Sequence, residues 1–203
     1  LTPQDGDRLI AEITAAAAPD SYVVLSGGVA PGLGDAYPDR IRAALAPHTQ
    51  KLVVDTSKGA LMRLITQPLA PLHILRLDQR EAEQAAGHPL DTMDDSIAFS
   101  RTLIARGVAR AIVTGRAAEG SILVSTDACY ICRAPQVPVV SKIGAGDAFV
   151  GALTLSLARG HPQDVALQWG VAAASATMAT AGTGLCDLPS VEALLPRCHL
   201  ERG

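Results

Sequence analysis

The sequence is poor in aromatic side chains, with one Trp, three Tyr and two Phe among 203 residues, and no basic excess makes up for them. Lys and Arg total 17 against 20 Asp and Glu, a net charge of −3. Without stacking platforms or a positive face, nucleic acid is not an expected partner. Long apolar runs are missing too. Ala15 to Ala18 falls far short of the roughly twenty residues a membrane helix needs, so no membrane partner is expected. No charged stretch followed by an apolar one opens the chain, and a soluble cytoplasmic protein is the expectation. Cysteine is sparse, at positions 129, 132, 186 and 198. Cys129 and Cys132 have the spacing of a redox or metal pair, yet they fall in an extended run, where residues three apart face opposite sides. Reduced structural thiols are expected.

What the chain does have is apolar surface. Hydrophobic residues make up 48% of it and charged residues 18%, against a usual charged share of about a quarter, so residues 1–203 are expected to bury one core as one domain. Leu9, Ile10 and Ile13 give helical spacing between Asp5 and Ala18, and Pro19-Asp20 stops it. Tyr22 to Leu25 reads as a buried strand ending in Ser26-Gly27-Gly28. The rhythm then repeats: helix from about Asp39 to Leu45, strand Lys51 to Asp55, helix from about Gly59 to Thr66, strand Leu72 to Leu75. A short helix near Arg80 to Ala86 and a longer one from Asp94 to Arg106 lead to a run at Ala109 to Thr114. This alternation predicts an α/β fold, with a mostly parallel sheet covered by helices on both faces. Gly120 to Ser125 and Ala128 to Arg133, joined by Thr126-Asp127, predict an antiparallel hairpin at one edge. Helices are expected from Asp147 to Arg159, from Pro162 to about Ala179 and from Pro189 to Leu195.

The stretch Ser141 to Ala152 organises the rest. It follows the apolar run Val137 to Val140, read as extended, and opens into a helix through Gly144, Ala145 and Gly146. Two glycines let the backbone turn sharply and bring amide N–H groups close to a ligand. At a helix start those groups lack intrahelical partners and lie at the positive end of the dipole, which suits an anion. Asp147 sits beside them, either as a base for a hydroxyl attacking phosphorus or only as a charge that suits the dipole. In open α/β sheets ligands bind beyond the carboxyl ends of the strands. The loops at Ser26–Gly28, Asp55–Ser57, Arg76–Glu81, Thr114–Gly120 and Gly144–Asp147 would therefore open onto one crevice.

Gly144-Ala145-Gly146-Asp147-Ala148-Phe149-Val150-Gly151-Ala152 resembles the C-terminal signature of the ribokinase-like sugar kinases of the pfkB type. The resemblance implies that Asp147 is the catalytic base and that Gly144, Ala145 and Gly146 form the anion hole. It runs along nearly the whole chain and is closest to the phosphosugar branch, which phosphorylates ketohexose phosphates. Leu25-Ser26-Gly27-Gly28-Val29-Ala30-Pro31-Gly32 is similar to the branch's Ser-Gly-Ser-Leu-Pro-Pro-Gly, which implies substrate contacts from Ser26, Gly27 and Gly28. Val54-Asp55-Thr56-Ser57 is similar to its Asp-Thr-Ser-Gly, with Lys58 in place of the glycine; Lys58 would meet a phosphate or stand solvated. Leu75-Arg76-Leu77-Asp78-Gln79-Arg80-Glu81 takes the place of Lys-Pro-Asn-x-x-Glu, which implies that Glu81, with Asp78, holds Mg²⁺ through water; the plainer reading is a helix-capping Asp78 and a surface Glu81. Val113-Thr114-Gly115-Arg116-Ala117-Ala118-Glu119-Gly120 resembles the family's nucleotide loop. With Ser141, Ala174 and Thr183, it implies ATP contacts from Thr114, Gly115, Ala117 and Gly120.

Family members begin with further strands and a sheet lid that carry most sugar contacts and often make the dimer. The expectation is thus the C-terminal nucleotide-binding and catalytic portion of an ATP- and Mg²⁺-dependent phosphosugar kinase, a homodimer in its full-length form. An inactive module that binds nucleotide or sugar phosphate is the alternative. A Rossmann dehydrogenase is disfavoured, because no Gly-x-Gly-x-x-Gly follows an early strand.

Overall fold

The computed structural model describes residues 1–203. Helix α1 (Pro3–Ala16) precedes strand β1 (Val23–Ser26), then α2 (Tyr37–Leu45), β2 (Leu52–Asp55), α3 (Lys58–Thr66) and β3 (Leu72–Asp78). Helices α4 (Gln79–Ala86) and α5 (Met93–Ala105) lead to β4 (Ala109–Gly115), β5 (Ser121–Ser125) and β6 (Cys129–Arg133). Helices α6 (Ala145–Ala158), α7 (Gln163–Met178) and α8 (Leu188–Leu194) follow, and β7 (His199–Arg202) closes the chain. The seven strands lie side by side in chain order, β1 to β4 parallel and β5 to β7 antiparallel. This is the expected α/β class, with the antiparallel edge one strand wider than the hairpin read from the sequence.

Local chemistry accounts for the helix starts. Thr2 with Asp5, Asp78 with Glu81 and Thr92 with Asp95 each form a capping box, in which side chain and backbone satisfy each other's first-turn groups. Gly87 ends α4 at φ +77°, a conformation that suits residues without a Cβ.

Side-chain alternation divides the core between the two faces of the sheet. Val53, Ile74, Ala111, Val113 and Leu123 pack under α6, α7 and α8. Val54, Leu75, Leu77 and Ile112 face α2 to α5. The alanine-rich α7 packs closely on α6, so closely that a Cβ at Gly170 would stand 3.1 Å from the Phe149 ring. Cys129 and Cys132 fall in clusters on opposite faces of β6, as extended geometry requires, and all four cysteines are free thiols. No helix is long and apolar enough to cross a membrane.

One run is placed and one local expectation is corrected. Val137 to Val140 forms no strand, and Val139 and Val140 lie exposed. Their backbone is held instead by Met178, whose carbonyl accepts from Val140 N and Ser141 N at 2.8 and 3.2 Å. The helix expected from Asp147 starts two residues earlier, at Ala145, because Gly144 adopts φ +78° as its N-cap.

Candidate active site

The parallel register builds the site. Ser26 stands opposite Asp55 on β2, and Asp55 stands opposite Arg76 on β3. Register partners share a face, and these three have the parity of Val53 and Ile74, so they point toward α6. The first turn of α6 lies over this row. Ser26 Oγ donates to Asp147 Oδ1 at 2.7 Å. Arg76 Nη1 pairs with Asp55 Oδ1 at 3.3 Å, both largely buried. A Cβ on Gly146 would stand 3.6 Å from Arg76 Nη1 and 3.8 Å from Asp55 Oδ2. Its absence keeps the space above the ion pair open.

Ser26, Asp55, Gly146 and Asp147 line a cleft of about 150 Å³ at the carboxyl ends of β1 to β3, with no apolar side chain in its wall; Arg76, Gly144 and Ala145 are not among its lining residues. Gly27, Gly28, Thr56, Ser57 and Glu81 complete the lining beside Ser26, Asp55, Gly146 and Asp147. Thr56 Oγ1 is buried there without a hydrogen-bond partner. Burial raises the Asp55 carboxyl above its ordinary range, opposed by Arg76 and reinforced by the charges of Asp147 and Asp78. Burial also raises Glu81, whose bond from the Asp78 backbone works the other way. The positive end of α6, the Arg76 guanidinium and the small residues between them suit an anion, while Asp147 offers a carboxylate at the same wall.

The remaining expected residues divide. Asp78 and Glu81 are engaged with each other: Glu81 N donates to Asp78 Oδ1 at 2.8 Å, and Asp78 N to Glu81 Oε2 at 2.9 Å. Glu81 lines the cleft and Asp78 does not. No group of three or more His, Cys, Asp or Glu stands together as a ready metal cage. Magnesium is ordinarily held by one or two carboxylates together with phosphates and waters, so Glu81, half-buried and crowded by two other carboxylates, fits that role. Lys58 is exposed, takes φ +57° and does not line the cleft.

In the expected nucleotide loop, Thr114 is buried, with its Oγ1 3.5 Å from Ser100 Oγ on α5. One step of alternation from Val113 turns it to the face away from α6. Gly115 borders the guanidinium, since a Cβ there would lie 3.4 Å from Arg76 Nη2. Ala117 is exposed in a 3-10 turn at φ +49°. Gly120, at φ +105°, stands where a Cβ would collide with the Cys132 carbonyl, so it serves the approach of β6 rather than the cleft. Ser141 Oγ donates to the Gly182 carbonyl at 2.8 Å, tying the loop before α6 to the exposed turn that holds Thr183, while Ala174 lies half-buried on α7.

Two features escaped the sequence reading. Arg76 and Asp55 meet only because β2 and β3 are neighbours. Arg116 is fully buried and donates to the carbonyls of Leu90 and Asp91, to Ser96 Oγ and to Glu119. Four partners on three segments make it the fastener of the β4–β5 loop.

Comparison with known proteins follows the same lines. Residues 3–190 match the profile of the pfkB family carbohydrate kinases. The chain is 31% identical over 192 residues to ATP-dependent 6-phosphofructokinase isozyme 2 of Mycobacterium tuberculosis, covering 95% of this chain and 56% of that protein. It is 27% identical over 202 residues to 1-phosphofructokinase of Escherichia coli K12, covering 99% and 63%. The crystal structure of Escherichia coli phosphofructokinase-2 in complex with potassium superposes with a TM-score of 0.87 at 25% identity, over 97% of this chain and 62% of that one. The chain thus spans less than two thirds of each of these relatives.

Proposed function

Since the chain belongs to the pfkB family of carbohydrate kinases, we propose that it carries the nucleotide-binding and catalytic half of a phosphosugar kinase that transfers the γ-phosphoryl group of ATP to a primary hydroxyl of a ketohexose phosphate. The observation that carries this reading is the placement of Asp147 in the first turn of α6, inside the cleft and hydrogen-bonded to Ser26. In-line phosphoryl transfer asks for positioning and charge stabilisation more than covalent chemistry. Asp147 accepts the hydroxyl proton, while the start of α6 formed by Gly144, Ala145 and Gly146, of which Gly146 lines the cleft, supplies the positive helix end for the charge on the transferred group. Glu81 would hold Mg²⁺, with Asp78 fixing the Glu81 backbone. When bound, the cation neutralises phosphate charge.

Fructose 6-phosphate and fructose 1-phosphate are the two acceptors the relatives' names suggest. The test is turnover of each with Mg-ATP, beside an ATP titration, for the wild-type protein and Asp147→Asn. Loss of a few orders of magnitude in kcat, with ATP affinity kept, is expected of a catalytic base. ATP binding with no turnover in the wild type would favour a binding module instead, a reading that draws on the missing apolar wall for a sugar ring in this cleft. Unchanged turnover in the variant would remove Asp147 from its role.

A further inference from the structure

The two cysteines with motif spacing, Cys129 and Cys132, face opposite sides of β6, and topology brings a different pair together. Across the sheet edge, Cys132 is the register partner of Leu200 on β7. Cys198 stands two residues before Leu200 with extended backbone, φ −78° and ψ +121°, so alternation turns it to the same face. Diagonal neighbours of this kind lie within side-chain reach in an antiparallel pair. Here the side chains meet: the Cys132 thiol donates a hydrogen bond to the Cys198 sulfur. Cys198 Sγ in turn reaches the Leu194 carbonyl at 3.5 Å. Both cysteines are buried in the core under α7 and α8, and both are free thiols.

The environments of the two sulfurs differ. The bond from Cys132 lowers the pKa of Cys198 before any other influence, with burial opposing it and the Arg197 charge assisting. The same bond, and then burial, pushes Cys132 above its ordinary range. One sulfur is thus favoured as thiolate, with a neutral thiol held against it. Access comes through β7, a strand of four residues that pairs with β6 alone at the margin of the sheet. Such elements open at a lower free energy than the core does.

We infer that Cys132 and Cys198 form a peroxide-responsive dithiol, a modification site that closes to a disulfide. The Cys198 thiolate attacks one oxygen of hydrogen peroxide, the O–O bond breaks, and Cys198 becomes a sulfenic acid as hydroxide leaves. The Cys132 sulfur then attacks that of Cys198, the S–O bond breaks, an S–S bond forms, and the thiol proton leaves with the departing hydroxyl as water. Two electrons pass from the sulfurs to peroxide, and the released hydroxide takes up the proton that Cys198 gave. The new bond fastens β6 to the segment after α8, whose Leu195 and Cys198 carbonyls accept from Gln168 on α7 at 3.0 and 3.3 Å. The pair shares no residue with the cleft and stands independently of the reaction proposed there.

The test treats the folded, intact chain with hydrogen peroxide, alkylates the remaining thiols in denaturant and maps the peptides by mass. A linked pair joining Cys132 to Cys198 is expected, about 2 Da lighter than the two reduced peptides together and reversed by dithiothreitol, because closure removes two hydrogens. Cys129 and Cys186 should be recovered alkylated. Cys132→Ser removes the second step and should leave Cys198 as a sulfenic acid that dimedone captures, while Cys186→Ser should leave the crosslink unchanged. A crosslink that forms only after unfolding, a crosslink through Cys129 or Cys186, or treated wild-type protein with Cys132 and Cys198 still open to alkylation would each overturn the assignment.

Discussion

Ser26 Oγ donates a 2.7 Å hydrogen bond to Asp147 Oδ1, joining residues 121 apart in sequence. The bond ties the last residue of β1 to the first turn of α6, and it selects one rotamer of the carboxylate that the proposed reaction uses. Removing the hydroxyl frees the carboxylate to turn without emptying the cleft. Ser26→Ala is therefore expected to lower kcat by about ten-fold or more, on the scale of one hydrogen bond to a charged group. The KM for ATP should stay nearly constant, and Ser26→Thr should restore most of the rate. A rise in ATP KM with kcat intact would make Ser26 a binding residue instead.

Lys58 carries a second prediction, one of stability. It opens α3 at φ +57°, where a side chain bearing a Cβ costs about 1–2 kcal/mol. Lys58→Gly relieves that cost but adds unfolded-state freedom worth about 0.5–1 kcal/mol. A net gain of up to about 1 kcal/mol is expected, or roughly 2–4 °C in Tm. Lys58→Ala keeps the Cβ and should gain nothing. Because the side chain stays outside the cleft, neither change should move the KM for either substrate. A higher KM in both variants would restore the phosphate contact once expected of Lys58.

Much of this architecture is legible in the sequence, because short apolar strands, caps and glycines act locally. The turn at Gly144, the helix after it and the alternation of strands and helices all rest on near neighbours. What stays hidden depends on distance or parity. Nothing near Ser26 announces Asp147, and the Arg76–Asp55 pair exists only once two strands adjoin. Thr114 opens the loop expected to hold nucleotide, but alternation turns its hydroxyl into the α5 face. Strand β7 is four residues long, three of them polar or charged, so propensity gives no warning of it. Val137 to Val140 is the converse case: an apolar run, interrupted by Pro138, that pairs with no strand.

Glu81 links stability to pH with an opposite sign to most carboxylates. Burial raises its folded pKa above the ordinary 4.5. Its favourable contribution is then complete below that value and disappears as pH rises through the folded pKa, leaving a net cost at neutral pH. Gln at this helix position still completes the capping box with Asp78 and carries no charge to desolvate. Glu81→Gln should accordingly raise Tm more at pH 7.5 than at pH 4, while reducing Mg²⁺-dependent turnover. Thermal melts at the two pH values check the first half and a Mg²⁺ titration of activity the second. A variant less stable at pH 7.5 would contradict the sign.

Arg116 tests whether the β4–β5 loop works as one unit with the segment before α5. Its guanidinium is shielded from solvent and supplies donors to Leu90, Asp91 and Ser96 while pairing with Glu119. Arg116→Ala would strand the Leu90 carbonyl and the Ser96 hydroxyl in the interior and release the Asp91 carbonyl, at a cost of about 3–5 kcal/mol. A Tm fall of roughly 10 °C follows for a chain of this size. Lysine places one ammonium where a planar fork of five N–H groups was, so Arg116→Lys should recover only part of the loss. The loop's turn is closed by Arg116 N to Gly120 O at 2.8 Å and Gly120 N to Ala117 O at 3.2 Å, and Ala117 is held at positive φ between them. Loosening the side chain that anchors this turn should therefore weaken ATP in Arg116→Lys at temperatures where the variant is still folded. ATP affinity equal to wild type in that folded variant would detach the loop from nucleotide binding, and Arg116 would then act on stability alone.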